Sequence, residues 1–237
     1  MASATSRCSS QEHVRVTVRT RSRSIVAEVD VPTSCCADDL LNALQVIDDA
    51  VVADARREAE KSGRPVSCRE GCAACCRHLV PVTVNEARSL ASLVDSLPKG
   101  QRSRIRERFS EARSRLAESG LLEAVSQFGS DGPWSERRLA SVYFRMGIAC
   151  PFLDEERCTI YEERPLACRE YLVTSPAKNC TEARDVERLP VPGRIRPRLK
   201  NGLGGRAEQL ALIVALHRVA DDPPGDEQPL HTGAHKT

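Results

Sequence analysis

Four cysteines crowd into nine residues, Cys68, Cys72, Cys75 and Cys76, and four more follow as Cys150, Cys158, Cys168 and Cys180. Thiolates are soft donors, and a metal or iron–sulfur site needs several of them at one point. Spacings of two or three residues let one short segment supply most of a ligand set. The adjacent Cys75–Cys76 pair cannot easily close on itself as a disulfide, because its Cα and Cβ geometry is wrong. If residues 68–76 are helical, a rotation of about 100° per residue turns all four sulfurs to one side. Gly71, with the charged Arg69 and Glu70, disfavours a regular first turn. A loop entering a helix at Cys72 would still keep Cys72, Cys75 and Cys76 on one face. The competing reading uses cysteine as a small apolar residue on a buried face, and four at this spacing argue against it.

The second group is spaced more widely. Pro151 biases Cys150 towards extended backbone. Phe152-Leu153 and Thr159-Ile160-Tyr161 are short β-compatible runs around the polar residues 154–157, which predicts a small hairpin with Cys150 and Cys158 close together. Pro165 suits the first position of a helix. Cys168 would then sit about one turn inside it, where the amino-terminal dipole favours a thiolate. Arg164 and Arg169 are placed to offset thiolate charge; the plainer alternative pairs them at the surface with Glu162, Glu163 or Glu170. His78 is the histidine nearest a cluster and a candidate replacement ligand. Cys8, Cys35 and Cys36 fall outside this core and read as incidental thiols, and Tyr161 and Tyr171 as packing groups.

The strings Cys72-Ala-Ala-Cys75-Cys76, Cys150-Pro-Phe-Leu and Cys158-Thr-Ile-Tyr-Glu-Glu-Arg-Pro-Leu-Ala-Cys168-Arg resemble the YkgJ family of cysteine-cluster proteins, over residues 66 to about 182. The resemblance implies a zinc- or iron-chelating domain. The family's pattern separates its first two cysteines by two residues, whereas three separate Cys68 from Cys72. A related cluster in flagellin lysine N-methylases keeps an enzymatic role open.

The elements that must position these residues are mostly helical. Val14, Val16 and Val18 alternate with polar residues, as does the run 26–31, which predicts a β-hairpin across a polar Arg/Ser turn. From Asp38 the period changes to that of an amphipathic helix reaching about Lys61, stopped by Gly63 and Pro65. Helices are expected over 85–97, 99–119, 135–145 and 206–220, with a loop over 129–134, an irregular Pro/Arg-rich stretch after Cys180 and a disordered tail from Asp221. The fold class is therefore mainly α (α+β): a helical domain with an amino-terminal β-hairpin and an irregular cysteine-rich metal-binding core. The expected organisation is 1–62 for the hairpin and first helix and 63–182 for the cysteine-cluster domain with inserted helices. Residues 183–220 form an irregular segment and last helix, and 221–237 the tail.

Composition excludes several classes. Lys plus Arg exceed Asp plus Glu by 35 − 33 = +2, so no global field favours nucleic acid or an anionic membrane. The arginines at 19, 21 and 23 lack interleaved aromatics and read as a solvated turn. No apolar run reaches the roughly 20 residues of a membrane span. The amino terminus lacks a secretory apolar core, so the expected compartment is the cytoplasm, where thiols stay reduced and cysteine clusters are metal-binding or catalytic. The expected partner is a metal ion, with zinc and an iron–sulfur cluster both compatible with the donors and any protein partner unknown. The leading reading is a metal-binding protein coordinating zinc or iron through two cysteine clusters. An iron–sulfur enzyme of group transfer or redox chemistry stays open. So does a structural zinc module that docks another protein through the apolar face at 206–220.

Overall fold

The computed structural model of the chain describes residues 11–20, 23–32, 40–129, 133–195 and 209–221. Cys8, Cys35, Cys36, Asp38, residues 130–132, the stretch 196–208 and the tail from 222 lie outside them. About half of the described residues are helical, in eight α-helices, so the fold is mainly α with some β.

Strands β1 (Gln11–Arg19) and β2 (Ser24–Pro32) pair antiparallel, with Val14 opposite Val29 and Val18 opposite Ile25. Period-two alternation sends Val18, Ile25, Ala27 and Val29 to one face. That face packs on helix α1 (Leu41–Lys61) through Ile47, Val51 and Val52. A lone two-stranded hairpin is marginal in water; each Val or Ile buried against the helix contributes roughly 1.5–3 kcal/mol. Arg23, at the hairpin turn, pairs with Asp54 at 2.6 Å and Glu58 at 3.0 Å, so it ties the turn to α1. Helix α1 closes on Gly63 (φ +70), with Gly63 N–H bonded to Glu60 O and Arg64 N–H to Ala59 O. These are the two bonds of a Schellman cap, for which a left-handed residue is needed.

After a 3₁₀ turn at Ala74–Arg77, β3 (Pro81–Thr83) leads into α2 (Val84–Ser96), α3 (Lys99–Glu118) and α4 (Leu122–Ser126). Helix α5 (Glu136–Arg145) follows, its first turn capped by the Ser135 hydroxyl. Next come the short strands β4 (Leu153–Asp154) and β5 (Arg157–Cys158), then α6 (Leu166–Arg169) and α7 (Ala177–Glu182). The last elements among the described residues are β6 (Gln209–Ala211) and α8 (Leu212–Asp221).

The expected helix over 206–220 is therefore corrected at its start. Residues 209–211 form a strand that pairs antiparallel with β3, Val82 facing Leu210. A continuous apolar run such as 210–214 reads equally as buried strand or buried helix, and the exposed backbone edge of β3 decides it. In the first turn of α8, Leu212, Ile213, Val214 and Ala215 are all buried.

The described residues form three apolar clusters. One joins the hairpin and α1 to Leu166, Leu172, Val191 and Ile195. A second gathers α3, α4 and α5 with Leu79, Ile148, Ile213 and Val214. A third packs α2 and α3 against Phe152, Ile160, Leu210 and Leu212. The cysteine-bearing segments contribute to all three, so the thiols lie where the clusters meet.

Candidate metal centre

The first cysteine segment is built from turns. Ser67 donates its N–H to Val173 O at 2.9 Å and its hydroxyl reaches Ser175 O, which lays this strand of chain beside residues 171–175. Cys68 Sγ accepts the Val173 N–H at 3.4 Å. Gly71 (φ +79) permits the turn in which Cys72 N–H bonds to Arg69 O at 3.0 Å. Of the two arrangements considered for 68–76, the regular α-helix does not form. In its place Cys76 N–H bonds to Ala73 O and His78 N–H to Cys75 O, a single 3₁₀ turn carrying both members of the doublet. The left-handed Gly71 breaks any regular helix before Cys72.

The second segment folds onto this turn. Cys150 donates its N–H to Cys76 O at 2.7 Å. Strands β4 and β5 follow as a tight hairpin around Glu155 (φ 44) and Glu156 (φ 58), both left-handed as a type I′ turn requires. The backbone of Phe152 offsets part of the effect of burial on the Cys150 thiol, and that of Ile160 does the same for Cys158. At the hairpin tip the Glu156 carboxylate takes two bonds from the Arg77 guanidinium, at 2.6 and 3.1 Å, closing the two segments from outside.

Cys168 is positioned by a buried acid. Glu86 accepts from Thr83 N–H at 2.8 Å as half of a capping box on α2. Its other oxygen accepts Leu166 N–H at 2.9 Å, the first amide of α6. One carboxylate, 1% exposed, thus caps two helices and sets the angle between them. Sequence reasoning missed Glu86, although the pattern Thr83-x-x-Glu86 before an apolar run announces such a cap. Cys180, on α7, faces the 3₁₀ turn, and the His78 Nε2 lies 3.4 Å from Cys180 O. The His78 ring is wedged between Phe144 and Tyr171, with centroids at 4.8 and 5.7 Å.

The two arginines singled out from the sequence part company. Arg164 sits over the Tyr161 ring with its guanidinium carbon 3.9 Å from the ring centre, and its charge acts on Cys75, Cys158 and Cys168. Arg169 is buried and turned away: it binds Asp49 at 2.7 Å, Arg164 O at 2.8 Å and Glu162 O, fastening α6 to α1. Arg188, over the Tyr171 ring at 4.5 Å, adds a further cation facing Cys180.

Burial pushes the thiols of Cys68, Cys150, Cys158, Cys168 and Cys180 upward, Cys180 to about 11, and neighbouring sulfurs add to it in each case. Cys75 is raised first by its hydrogen bond with Cys76 and then by burial. The expected lowering of Cys168 by a helix dipole is thus corrected, since α6 has only four residues and desolvation outweighs so short a dipole. Burial likewise lowers the His78 pKa, which favours a neutral ring. Among the described residues no three His, Cys, Asp or Glu donors close on one point at coordination distance. Instead Cys72, Cys75, Cys76, Cys150, Cys158 and Cys168 line one cavity of about 490 Å³, whose other walls include Val80, Phe152, Ile160 and Leu172. So many buried thiols are poor acids alone, and a soft cation is the group that converts them to thiolates and offsets their repulsion. The donor chemistry therefore fits zinc or iron.

Residues 67–186 match the family described as CxxCxxCC, "Putative zinc- or iron-chelating domain", and the chain belongs to that family. No curated protein and no solved structure matches the chain. Metal chelation is thus the family's described property, with zinc and iron both admitted. Among the described residues no helix is long and apolar enough to cross a membrane.

Proposed function

We propose that the protein chelates zinc or iron through thiolates drawn from both cysteine segments, at one centre between the 3₁₀ turn, the β4–β5 hairpin, α6 and α7. One observation carries this reading: cysteines of both segments, Cys72, Cys75, Cys76, Cys150, Cys158 and Cys168, line one cavity, while a peptide N–H, that of Val173, already points at the sulfur of Cys68. Anionic sulfur is a far better acceptor than a neutral thiol, so such donors stabilise metal-bound thiolate. Arg164 and Arg188 add positive charge beside it. Bound metal would supply the charge that holds these thiols ionised, and the chain's own residues would orient the sulfurs and limit access of water. Anaerobic purification followed by metal analysis and an absorption spectrum tests the reading. Stoichiometric zinc in a colourless protein, or iron with visible thiolate or sulfide charge-transfer bands, is expected.

The size of the cavity favours a second reading. At about 490 Å³ it falls in the range that holds small organic ligands, roughly 300–1,000 Å³, and exceeds what metal ions alone fill. An enzyme whose metal centre acts on a small molecule in this pocket, by group transfer or redox chemistry, would use that space. Saturable binding of an organic ligand by the metal-loaded protein would support it.

A further inference from the structure

The cysteines are only part of the cavity lining. Three arginines, Arg164, Arg188 and Arg194, share it with the buried side chains of Leu79, Phe152, Ile160, Leu172 and Leu212. Among the described residues no carboxylate pairs with any of the three. Arg77 and Arg169 show the contrast. Each is next in sequence to a cavity cysteine without lining the cavity, and each is closed by an acid, Glu156 at 2.6 Å and Asp49 at 2.7 Å. Two of the cavity arginines rest on rings instead, Arg164 on Tyr161 at 3.9 Å and Arg188 on Tyr171 at 4.5 Å. A ring steadies a guanidinium without neutralising it. Arg164 Nε is buried with no hydrogen-bond partner among the described residues, which leaves an unsatisfied donor at this wall. Glu170, the one acid among the described lining residues, is already engaged by Asp48.

Exposure gives the cavity a direction. Its exposed lining residues are Gly71, Arg188, Pro190 and Arg194, so it meets solvent along 188–194, with the buried apolar side chains behind. Apolar walls with a few charged groups at one end are what orient a small organic ligand. We propose that the cavity binds a small organic oxyanion, a carboxylate or phosphate ester with an apolar body. Its charged oxygens meet the guanidinium groups of Arg188, Arg194 and Arg164, and its body lies among Phe152, Ile160, Leu172 and Leu212. This rests on the second reading above, that the cavity takes an organic molecule, and specifies the chemical class. Guanidinium donors match the oxygens of carboxylate and phosphate in geometry as well as charge. An inorganic anion would leave the apolar walls unfilled, a neutral molecule would leave the guanidinium charge unmet, and an organic cation would be repelled. Arg164 is shared with the sulfurs, whereas Arg188 and Arg194 stand at the opening, where an incoming anion arrives first.

Ligand-observed NMR titration of the full chain, purified anaerobically with its metal, tests this with probes that share one apolar body: hexanoate, hexyl phosphate, hexan-1-ol and hexylammonium. The two anions are expected to bind saturably, and the alcohol and the ammonium at least about tenfold more weakly. Inorganic phosphate should bind more weakly than hexyl phosphate. R188Q and R194Q should each weaken hexanoate and leave hexan-1-ol unchanged, and the double variant should abolish most of the preference for the anion. Metal content and circular dichroism of each variant report that it is folded; should R188Q fail to fold, R194Q, changed at an exposed side chain, decides. Hexan-1-ol bound as tightly as hexanoate would leave the cavity a site for organic molecules and overturn its selectivity for anions. Hexanoate bound equally by wild type and the double variant would place the carboxylate elsewhere, on the metal for example, and overturn the role given to the arginines. Binding of none of the probes would overturn both this proposal and the second reading, while chelation, read from metal content, would stand.

Discussion

Cys150 donates its backbone N–H to the carbonyl oxygen of Cys76 at 2.7 Å, joining two cysteine segments that lie more than 70 residues apart in sequence. The bond fixes the second segment by its backbone and leaves both side chains to face the cavity. Amide exchange at Cys150 should therefore be slow in metal-loaded protein, where local opening would have to part the two segments. Removing the metal should speed exchange there far more than at Val51, in the middle of α1. Equal acceleration at both positions would mean that the metal stabilises the whole fold and not this junction.

Glu86 caps α2 and α6 together, so its loss should be felt at both. Glu86→Ala removes a helix cap and strands the buried Leu166 N–H, which should cost roughly 2–4 kcal/mol. Urea unfolding of the metal-loaded protein measures this. Glu86→Gln, whose single carbonyl cannot replace two carboxylate oxygens, should recover only part of the loss. A variant within experimental error of wild type would show that the Leu166 amide finds another acceptor.

Arg164 and Arg169 should fail in different ways. Arg164→Gln leaves the packing of α6 in place and removes the cation facing Cys75, Cys158 and Cys168, so metal affinity should fall about tenfold with little change in the apo protein's unfolding. Arg169→Gln leaves Asp49 and two carbonyls without their donor. It should destabilise the fold by about 2–3 kcal/mol, short of the figure for a fully buried pair because Asp49 is half-exposed. Chelator competition and denaturant unfolding, run on both variants, separate the two effects.

Asp48 gives the protein a pH dependence of its own. Its carboxyl is fully buried on α1 near Glu170 and Asp49, and burial first, then the Glu170 charge, pushes its pKa up to about 8. The unfolded chain releases this proton near 3.8, so unfolding frees a proton at any pH between the two values. Stability should accordingly fall as pH rises through that window and level off above it, by an amount on the order of a few kcal/mol shared with Glu170 as a coupled pair. Asp48→Asn should flatten the dependence. Thiolate–metal bonds act with the opposite sign, so the informative quantity is the difference between wild type and variant at each pH.

The hairpin, α1, α2, α3 and α5 were legible because each has one buried face and a clear period, and because Gly63 and Ser135 mark their ends. The pairing of β6 with β3 was not, since 210–214 is apolar throughout and only the tertiary partner chooses strand over helix. The 3₁₀ turn was hidden for a related reason: Gly71 signals a break, but nothing local says which turn follows. The segment 148–173 also buries more than its prolines and charges suggest, with Ile148, Phe152, Ile160, Leu166, Leu172 and Val173 all at 3% exposure or less. Convergence of the cysteines was expected from their irregular spacing. The buried acids Glu86 and Asp48 depend on contacts between distant segments that no window of sequence contains.

X-ray absorption at the zinc or iron edge of anaerobically purified protein tests the central claim most directly. Chelation by cysteine thiolates from both segments predicts a first shell of sulfur at about 2.3 Å for zinc, with the sulfur number reduced in C158S as well as in C72S. A first shell of nitrogen and oxygen alone, or a sulfur shell unchanged by C158S, would contradict a centre built from the two segments together.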